Sequence, residues 1–339
     1  MSYIGRPLTV DDLPAPPSDK SGYPWTTGTE IIDDCYLLPS ISVVTPSYNQ
    51  GAFLEETIRS VLLQAYPNTE YIVIDGGSTD ESVAIIEKYS DFISYWVSEK
   101  DAGQSNAINK GFRLVEGDYF AYINSDDRYQ PQTFYKVGRA FLEDDNLKWV
   151  TGYAEYVDAV GNFVELMVPE PFSNLKNTLI TWEGPRAVAI QASNFLSKEI
   201  FSRFGYLNES LHYCMDVEFG LRLLRHNIVP SIIPSVLAQA RLHQNSKTVS
   251  QKQSGAFTNE AVQIAQKYSE YLSAKDKAYV LQKIGEYNLF YSIGHLSSIY
   301  DDESSFRCLE ELLKVVVSHP SYLIKRPFLG MLRRMIIPA

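Results

Sequence analysis

Two pairs of carboxylates stand where a chain can put them to chemical use. The first closes the run Phe120-Ala121-Tyr122-Ile123-Asn124-Ser125-Asp126-Asp127, in which four residues of strand character lead into a polar tip. Glu116-Gly117-Asp118 before it has the composition of a turn, and Gln130-Pro131-Gln132 after it that of a helix entry. Open α/β sheets bind ligands outside the carboxyl ends of their strands, so a site is expected at this tip. Adjacent carboxylates repel each other, and a hard divalent cation relieves that repulsion. Mg²⁺ in particular is usually held by one or two carboxylates, with substrate phosphates completing its shell. An acidic N-cap before the next helix accounts for the same residues without any ligand. The second pair, Asp216 and Glu218, opens the helical stretch Phe219–Arg225, where the helix dipole favours negative charge.

The elements that must position these groups alternate between strand and helix. Ile41–Thr45 is a short buried-type strand, broken by Pro46-Ser47-Tyr48-Asn49-Gln50-Gly51. Leu54, Ile58, Val61, Leu62 and Ala65 follow at the spacing of one apolar helix face. Glu70–Ile74 is a second strand, ending at Asp75-Gly76-Gly77-Ser78-Thr79-Asp80 and a helix to about Tyr89. Ile93–Ser98 is a third strand, followed by the loop 99–105 and a helix over 106–115. Such alternation predicts a parallel sheet with right-handed crossovers, all polar loops falling on one edge. Later segments (a helix over 132–142, an extended run 148–153, a hairpin about Asp158–Asn162) predict a mixed, mostly parallel sheet. A short helix over 173–181, an extended segment 191–196 and a helix over 197–204 come next. Residues 228–242 hold two extended segments around Pro230 and Pro234, ending at His243.

Composition narrows the function classes. Thirty basic against 41 acidic residues give a net charge of −11, which argues against nucleic-acid binding. A 45% hydrophobic chain with 13% aromatics has enough apolar surface for a sizeable core. No run approaches a membrane span and no signal-peptide pattern opens the chain. Cys35, Cys214 and Cys308 are far apart and suit a reducing, cytoplasmic setting. Neither GxGxxG nor GxxxxGK[ST] occurs, so dinucleotide and P-loop chemistry is disfavoured. Three regions are expected: an irregular lead-in over 1–39, with Tyr3, Tyr23, Trp25 and Tyr36 as strapping aromatics, an α/β domain over 40–250, and a C-terminal appendage of two or three helices over 251–339.

Four motifs in order then resemble a known family. Ile41–Asn49, the Asp75–Asp80 loop, Asp101-Ala102-Gly103-Gln104-Ser105-Asn106-Ala107-Ile108-Asn109-Lys110-Gly111 and Asn124–Asp127 together are similar to the family 2 glycosyltransferases of the GT-A fold, over residues 40–245. The lead-in with Trp25 is similar to that of a bacterial surface-polysaccharide subgroup. The resemblance implies a nucleotide-sugar donor, a divalent cation (Mn²⁺ or Mg²⁺) and transfer with inversion to a hydroxyl of a saccharide or lipid-linked saccharide. It implies that Thr45, Tyr48 and Asp75 hold the nucleoside, Asp75 accepting from a base N–H, although Gly76 stands where members often carry a second Asp. Gln104 and Asn109 would sit near the ribose or diphosphate. The Asp-X-Asp motif maps onto Asn124-Ser125-Asp126, leaving Asp126 as metal ligand with Asp127 behind it. Asp216 takes the place of the catalytic base, with Glu218 as its alternative, and His243 in the closing loop Arg241–Thr248 would meet metal or diphosphate. Trp182 and Gln191–Asn194 are candidates for the acceptor side.

Two other readings compete. A non-catalytic scaffold that keeps the fold as a partner in polysaccharide assembly is motivated by Asn124. A nucleotidyltransferase is disfavoured, because no glycine-rich signature with a catalytic Arg or Lys lies near the first strand. At the C-terminus, Lys325, Arg326, Arg333 and Arg334 accompany Ile324, Phe328, Met331, Leu332 and Met335 at helical spacing. That pattern fits peripheral contact of 320–339 with the inner face of a membrane, or packing of the stripe on the appendage helices.

Overall fold

The computed structural model describes residues 5–32, 37–180, 189–247, 256–302, 305–318 and 320–336. Tyr3, Cys35, Tyr36, Trp182 and Thr248 lie outside the described residues. The chain forms two compact units, 1–178 with 186–261 and 179–185 with 262–339.

The first unit is built on β1 (Ile41–Ser47) and β2 (Thr69–Asp75), both buried along their whole length. Burial on both faces explains why they lack polar alternation. Successive side chains instead feed two separate cores. Val43, Tyr71 and Val73 pack with Leu54 and Ile58 of α1 (Gly51–Leu62). Val44, Ile72 and Ile74 pack with Ala107, Ile108 and Phe112 of α3 (Gln104–Phe112), which follows α2 (Ser82–Lys88) in the chain. β3 (Tyr95–Ser98) and β4 (Tyr119–Tyr122) flank the pair, and all four strands run parallel. Their register aligns Ser47 with Asp75 and Asp75 with Ser98, so three loops and the 123–127 tip leave one edge together.

The remaining strands are β5 (Arg128–Tyr129), β6 (Trp149–Val157), β7 (Phe163–Met167), β8 (Phe195–Ser197) and β9 (Ser231–Arg241). The order is β3-β2-β1-β4-β8-β6-β9-β5, with β7 pairing β6, so the expected mixed sheet is found. Helices α4 (Thr133–Glu143), α5 (Leu175–Thr178), α6 (Glu199–Phe204) and α7 (Met215–Leu224) complete the unit. Two local expectations change. Gln191–Ser193 is a 3₁₀ turn, with the strand starting only at Phe195. Residues 231–241 form one strand, not two, because a bulge absorbs Pro234: Gly152 pairs Ile233, and Tyr153 pairs Val236. A side chain at Gly152 would meet Leu237 Cδ1 at 2.5 Å, so only glycine lets the bulge close. This continuous β9 pairs with β5 antiparallel, Arg128 opposite Gln239, and so carries the chain back past Asp126–Asp127.

The lead-in is fastened by a charge. Arg59 is fully buried on α1, and its guanidinium donates to the carbonyls of Pro14 (2.9 Å), Pro24 (2.9 Å) and Trp25 (2.8 Å) and to Tyr89 Oη (2.8 Å). Tyr23 Oη adds a bond to the Ser60 carbonyl at 3.1 Å.

Among the described residues the C-terminal segments are helices over Ala256–Ser269, Ala274–Asp302, Ser305–Ser318 and Arg326–Ile336, four where two or three were expected, with a 3₁₀ turn at Pro320–Ile324. Pro327 sits in the first turn of the last helix, where a missing N–H costs nothing. Phe328 and Tyr322 are buried against Leu289, with Leu312, Val315, Val316 and Leu332 around them.

Candidate active site

The 123–127 tip and the end of β9 meet. His243 Nε2 lies 3.0 Å from Asp126 Oδ2, and the His243 ring packs at 4.7 Å against that of Phe53. Behind them Arg241 is a buried strut. Its backbone N–H donates to Asp127 Oδ1 (2.9 Å), its Nε to the Asp126 carbonyl (3.0 Å), and its guanidinium pairs with Glu56 (2.9 Å). Glu56 also pairs with Arg128, so one carboxylate ties together the two basic side chains that back the tip. Asp127 is spent inward. Burial and the neighbouring Asp126 charge push its carboxyl well up, against the N–H donors of Arg241 and Asn124.

Asn124 lies at the centre of a side-chain chain. Its Nδ2 donates to Asp127 Oδ2 (3.0 Å) and Gln191 Oε1 (3.1 Å), while its Oδ1 accepts from Gln104 Nε2 (2.7 Å). An ionised Asp127 Oδ2 only accepts, which points the Asn124 amide nitrogen toward it and leaves Oδ1 to accept from Gln104. An aspartate at 124 would face a buried carboxylate with another, so asparagine is what this arrangement needs. Gln104 Oε1 is buried and accepts no hydrogen bond, an orphan acceptor at the site. Ser125 is buried within the tip.

Gln191 carries the chain onward, donating to the Tyr122 carbonyl (3.0 Å) and lining a cavity with Tyr122, Asn194, Trp149 and Asp216. Asp216 opens α7, and its Oδ1 accepts from the Val217 N–H at 2.9 Å. Burial pushes its carboxyl up, while the Lys247 ammonium pulls the other way. Burial likewise pushes the Lys247 amine down, and Lys247 Nζ donates to the His212 carbonyl (2.8 Å). Glu218 faces elsewhere: it is buried and paired with Arg222. The approach to α7 is clamped by Glu260, whose carboxylate accepts the N–H groups of His212 (2.8 Å), Tyr213 (2.8 Å) and Cys214 (2.9 Å). Sequence patterns gave no sign of Glu56, Gln191's bridging role or Glu260, since each acts on residues far away in the chain.

Of the nucleoside candidates Thr45, Tyr48 and Asp75 on the β1–β2 side, Tyr48 alone presents its side chain, at 61% exposure. The loops holding it are stitched: Asn49 Oδ1 accepts the Thr79 N–H (2.8 Å), and Asp80 accepts the Gly51 N–H (2.9 Å). Thr45 is buried beneath, accepting from Tyr71 Oη at 3.1 Å. Asp75 is fully buried and accepts from the N–H groups of Gly77 (3.1 Å) and Ser78 (2.8 Å) and from the hydroxyls of Ser78 (2.6 Å) and Ser98 (2.7 Å). Asn109 is also consumed, bonding Leu207 in both directions and Glu209 (2.8 Å). The structure thus brings Asp126 to His243 and Asn124 to Gln104, joins Asn124 through Gln191 to the cavity that Asp216 lines, and turns Thr45, Asp75 and Asn109 inward.

Comparison with known proteins agrees with this architecture. The family model "Glycosyl transferase family 2" matches residues 42–204. An uncharacterized glycosyltransferase of Mycobacterium tuberculosis is 32% identical over 186 residues, covering 54% of this chain and 68% of that one. The putative teichuronic acid biosynthesis glycosyltransferase TuaG of Bacillus subtilis is 32% identical over 151 residues, covering 42% and 59%. The crystal structure of Staphylococcus aureus TarS 1–349 in complex with UDP-GlcNAc is similar in fold, with a TM-score of 0.55 at 17% identity over 88% of this chain and 80% of that one. The chain spans 31–66% of the length of the curated Rickettsia relatives it matches. A GT-A-type sheet, a polar edge with Asp126 and His243 at its centre, and these sequence matches lead to one conclusion: the chain belongs to glycosyl transferase family 2.

Proposed function

We propose that the chain transfers a sugar, with inversion, from a nucleotide-sugar donor to a hydroxyl of a saccharide or lipid-linked saccharide in surface-polysaccharide synthesis. The observation that carries the reading is the meeting of Asp126 with His243 on the sheet edge, linked through Asn124 and Gln191 to the cavity that Asp216 lines. UDP-GlcNAc in the TarS complex makes a uridine diphosphate donor the first to test.

A carboxylate and an imidazole 3.0 Å apart fit a divalent cation whose shell the donor's phosphates complete. Among the described residues no group of three or more metal-ligating side chains occurs, so Asp126 and His243 are the protein's share. When bound, Mn²⁺ or Mg²⁺ would offset the charge on the leaving diphosphate. Gln104 Oε1, left without a donor, suits a hydroxyl of the ribose or sugar. Asp216 accepts the proton of the acceptor hydroxyl as that oxygen attacks the anomeric carbon from the face opposite the diphosphate. Its raised basicity, from burial, serves that step.

Peripheral membrane contact through 320–339 belongs to the same proposal. No helix among the described residues is long and apolar enough to cross a membrane. Phe328 is taken up by the helices' own core, while Ile324 (78% exposed), Lys325, Arg326 and Arg333 face outward. Co-sedimentation with anionic vesicles, comparing the full chain with one ending at Ser318, checks it: equal pelleting of both overturns the contact.

The decisive experiment is transfer from UDP-GlcNAc and related donors in Mn²⁺, with donor hydrolysis followed in parallel. Donor turnover by wild type that Asp216→Asn loses supports the transferase. Donor binding with neither transfer nor hydrolysis would favour the non-catalytic scaffold.

A further inference from the structure

We propose that Asp101 reads the nucleobase of the donor, occupying the place of the side chain that Gly76 lacks. The inference rests on the transferase reading above and assigns its base specificity. Gly76 follows directly on β2, and its N–H donates to the Ser47 carbonyl at 2.8 Å, fixing it beside the end of β1. A Cβ added at Gly76 would stand 2.7 Å from Asp101 Oδ2 and 3.3 Å from Tyr48 Cδ2. The carboxylate of Asp101, reaching over from the loop after β3, therefore fills the volume of a residue-76 side chain, and the Tyr48 ring borders the same space.

The two oxygens of Asp101 have different duties. Oδ1 accepts the Gly103 N–H at 2.7 Å, which sets the orientation of the group. Oδ2 accepts no hydrogen bond among the described residues. The neighbouring carboxylate is not available for this work, since Asp75 is fully buried and already accepts four hydrogen bonds. What the edge offers is an aromatic face, 61% exposed, with an acceptor-only group at its margin. A planar base stacks on the ring, and its edge must present an N–H to Oδ2. Uracil, thymine and guanine carry such a ring N–H. Cytosine and adenine carry an acceptor nitrogen at that position and can offer Oδ2 only the exocyclic amine beside it, which brings the acceptor nitrogen against the carboxylate.

The test is calorimetric binding of UDP, GDP, CDP and ADP to the full chain in Mn²⁺, for wild type, Asp101→Asn and Gly76→Ala. Wild type should favour UDP or GDP over CDP and ADP by roughly 10- to 100-fold, the effect of one hydrogen bond to a charged group. Asp101→Asn keeps an oxygen for the Gly103 N–H and turns an amide donor to the base. The preferred diphosphate should then weaken while CDP strengthens, a change of ratio that loosening of the loop would not produce. Gly76→Ala leaves Asp101 in place chemically but drives its carboxylate aside, and should shrink the same ratio. An unchanged ratio in Asp101→Asn, or a wild-type preference for CDP or ADP, overturns the assignment alone. Failure of all four diphosphates to bind folded wild type overturns the transferase reading and this assignment with it.

Discussion

Asn124 Nδ2 stands 3.0 Å from Asp127 Oδ2, and the amide at 124 is what allows a carboxylate to be buried at 127. The family's acidic motif begins with asparagine here because its first side chain serves as a donor. Asn124→Asp restores the motif in letters but sets two carboxylates against each other. It should lower stability by about 1–3 kcal/mol near neutral pH, the cost of an unsatisfied buried polar group, without tightening Mn²⁺. The pH dependence has a definite sign. The folded Asp127 carboxyl lies above its ordinary range, so its contribution to stability is full on the acid side and is lost as pH rises through the folded value. A second carboxylate enlarges that loss, so the variant's deficit should grow from acid to neutral pH in urea melts. A variant as stable as wild type near neutral pH would refute the account.

Asp126→Ala should abolish Mn²⁺-dependent donor binding while leaving the melting temperature nearly unchanged, since among the described residues its side chain is bonded to His243 alone. His243→Ala should weaken the same binding by about 10- to 100-fold, as loss of a supporting metal partner does. Titration of UDP with and without Mn²⁺ checks both. Equal nucleotide affinity in Mn²⁺ for Asp126→Ala and wild type would remove the metal assignment.

Asp216→Asn should keep donor affinity and cut transfer by about 10²–10⁴-fold, the usual worth of a general base. Because burial raises the Asp216 carboxyl, the base is still protonated at pH values where an ordinary aspartate is ionised. The acid limb of kcat/KM should therefore lie above the ordinary carboxylate range and vanish in the variant. Glu218→Gln, which breaks a buried pair with Arg222, should lower stability and spare turnover. More than a tenth of wild-type turnover in Asp216→Asn would move the base elsewhere.

Glu260 positions Asp216 by gathering the three N–H groups that precede α7. Glu260→Ala should lower kcat with little change in donor KM, shift the acid limb of the pH profile, and be partly rescued by Glu260→Gln, which retains one acceptor oxygen. Steady-state kinetics across pH separate this from a purely structural effect, which would lower stability and leave the pH profile in place.

Much of the scaffold was legible because a strand buried on both faces has few sequences open to it. Ile41–Thr45 and Glu70–Ile74 announced themselves by apolar runs, and the loops after them by glycine and asparagine. The tip at Asp126 was legible as a polar strand end, but not how its carboxylates divide, Asp126 meeting His243 and Asp127 the Arg241 backbone. Thr45, Asp75 and Asn109 were less transparent. A polar residue at a strand end can serve either the ligand or the loop, and both uses leave the same letters. Asp75 holds its own loop together, and Asn109 ties α3 to Leu207 and Glu209. The partnerships of Glu56 with Arg241 and of Glu260 with the 212–214 turn join distant segments, which no local period records. Pro234 suggested a break in the last strand, but a bulge opposite Gly152 let the strand continue and deliver His243.

The family model begins at residue 42, yet the charge of Arg59, inside that region, is solvated by carbonyls of residues 14, 24 and 25. Those carbonyls act as a private substitute for water around a guanidinium that has none. The region that the family model matches and the compact unit that holds it therefore have different starting points. A chain begun at the homology boundary would expose a cation evolved for a dry site, and the helix bearing it also carries Glu56 to the back of the tip. Donor binding at the proposed site would in this sense depend on a segment outside the matched region, and transplanting that region between relatives would have to carry its lead-in along.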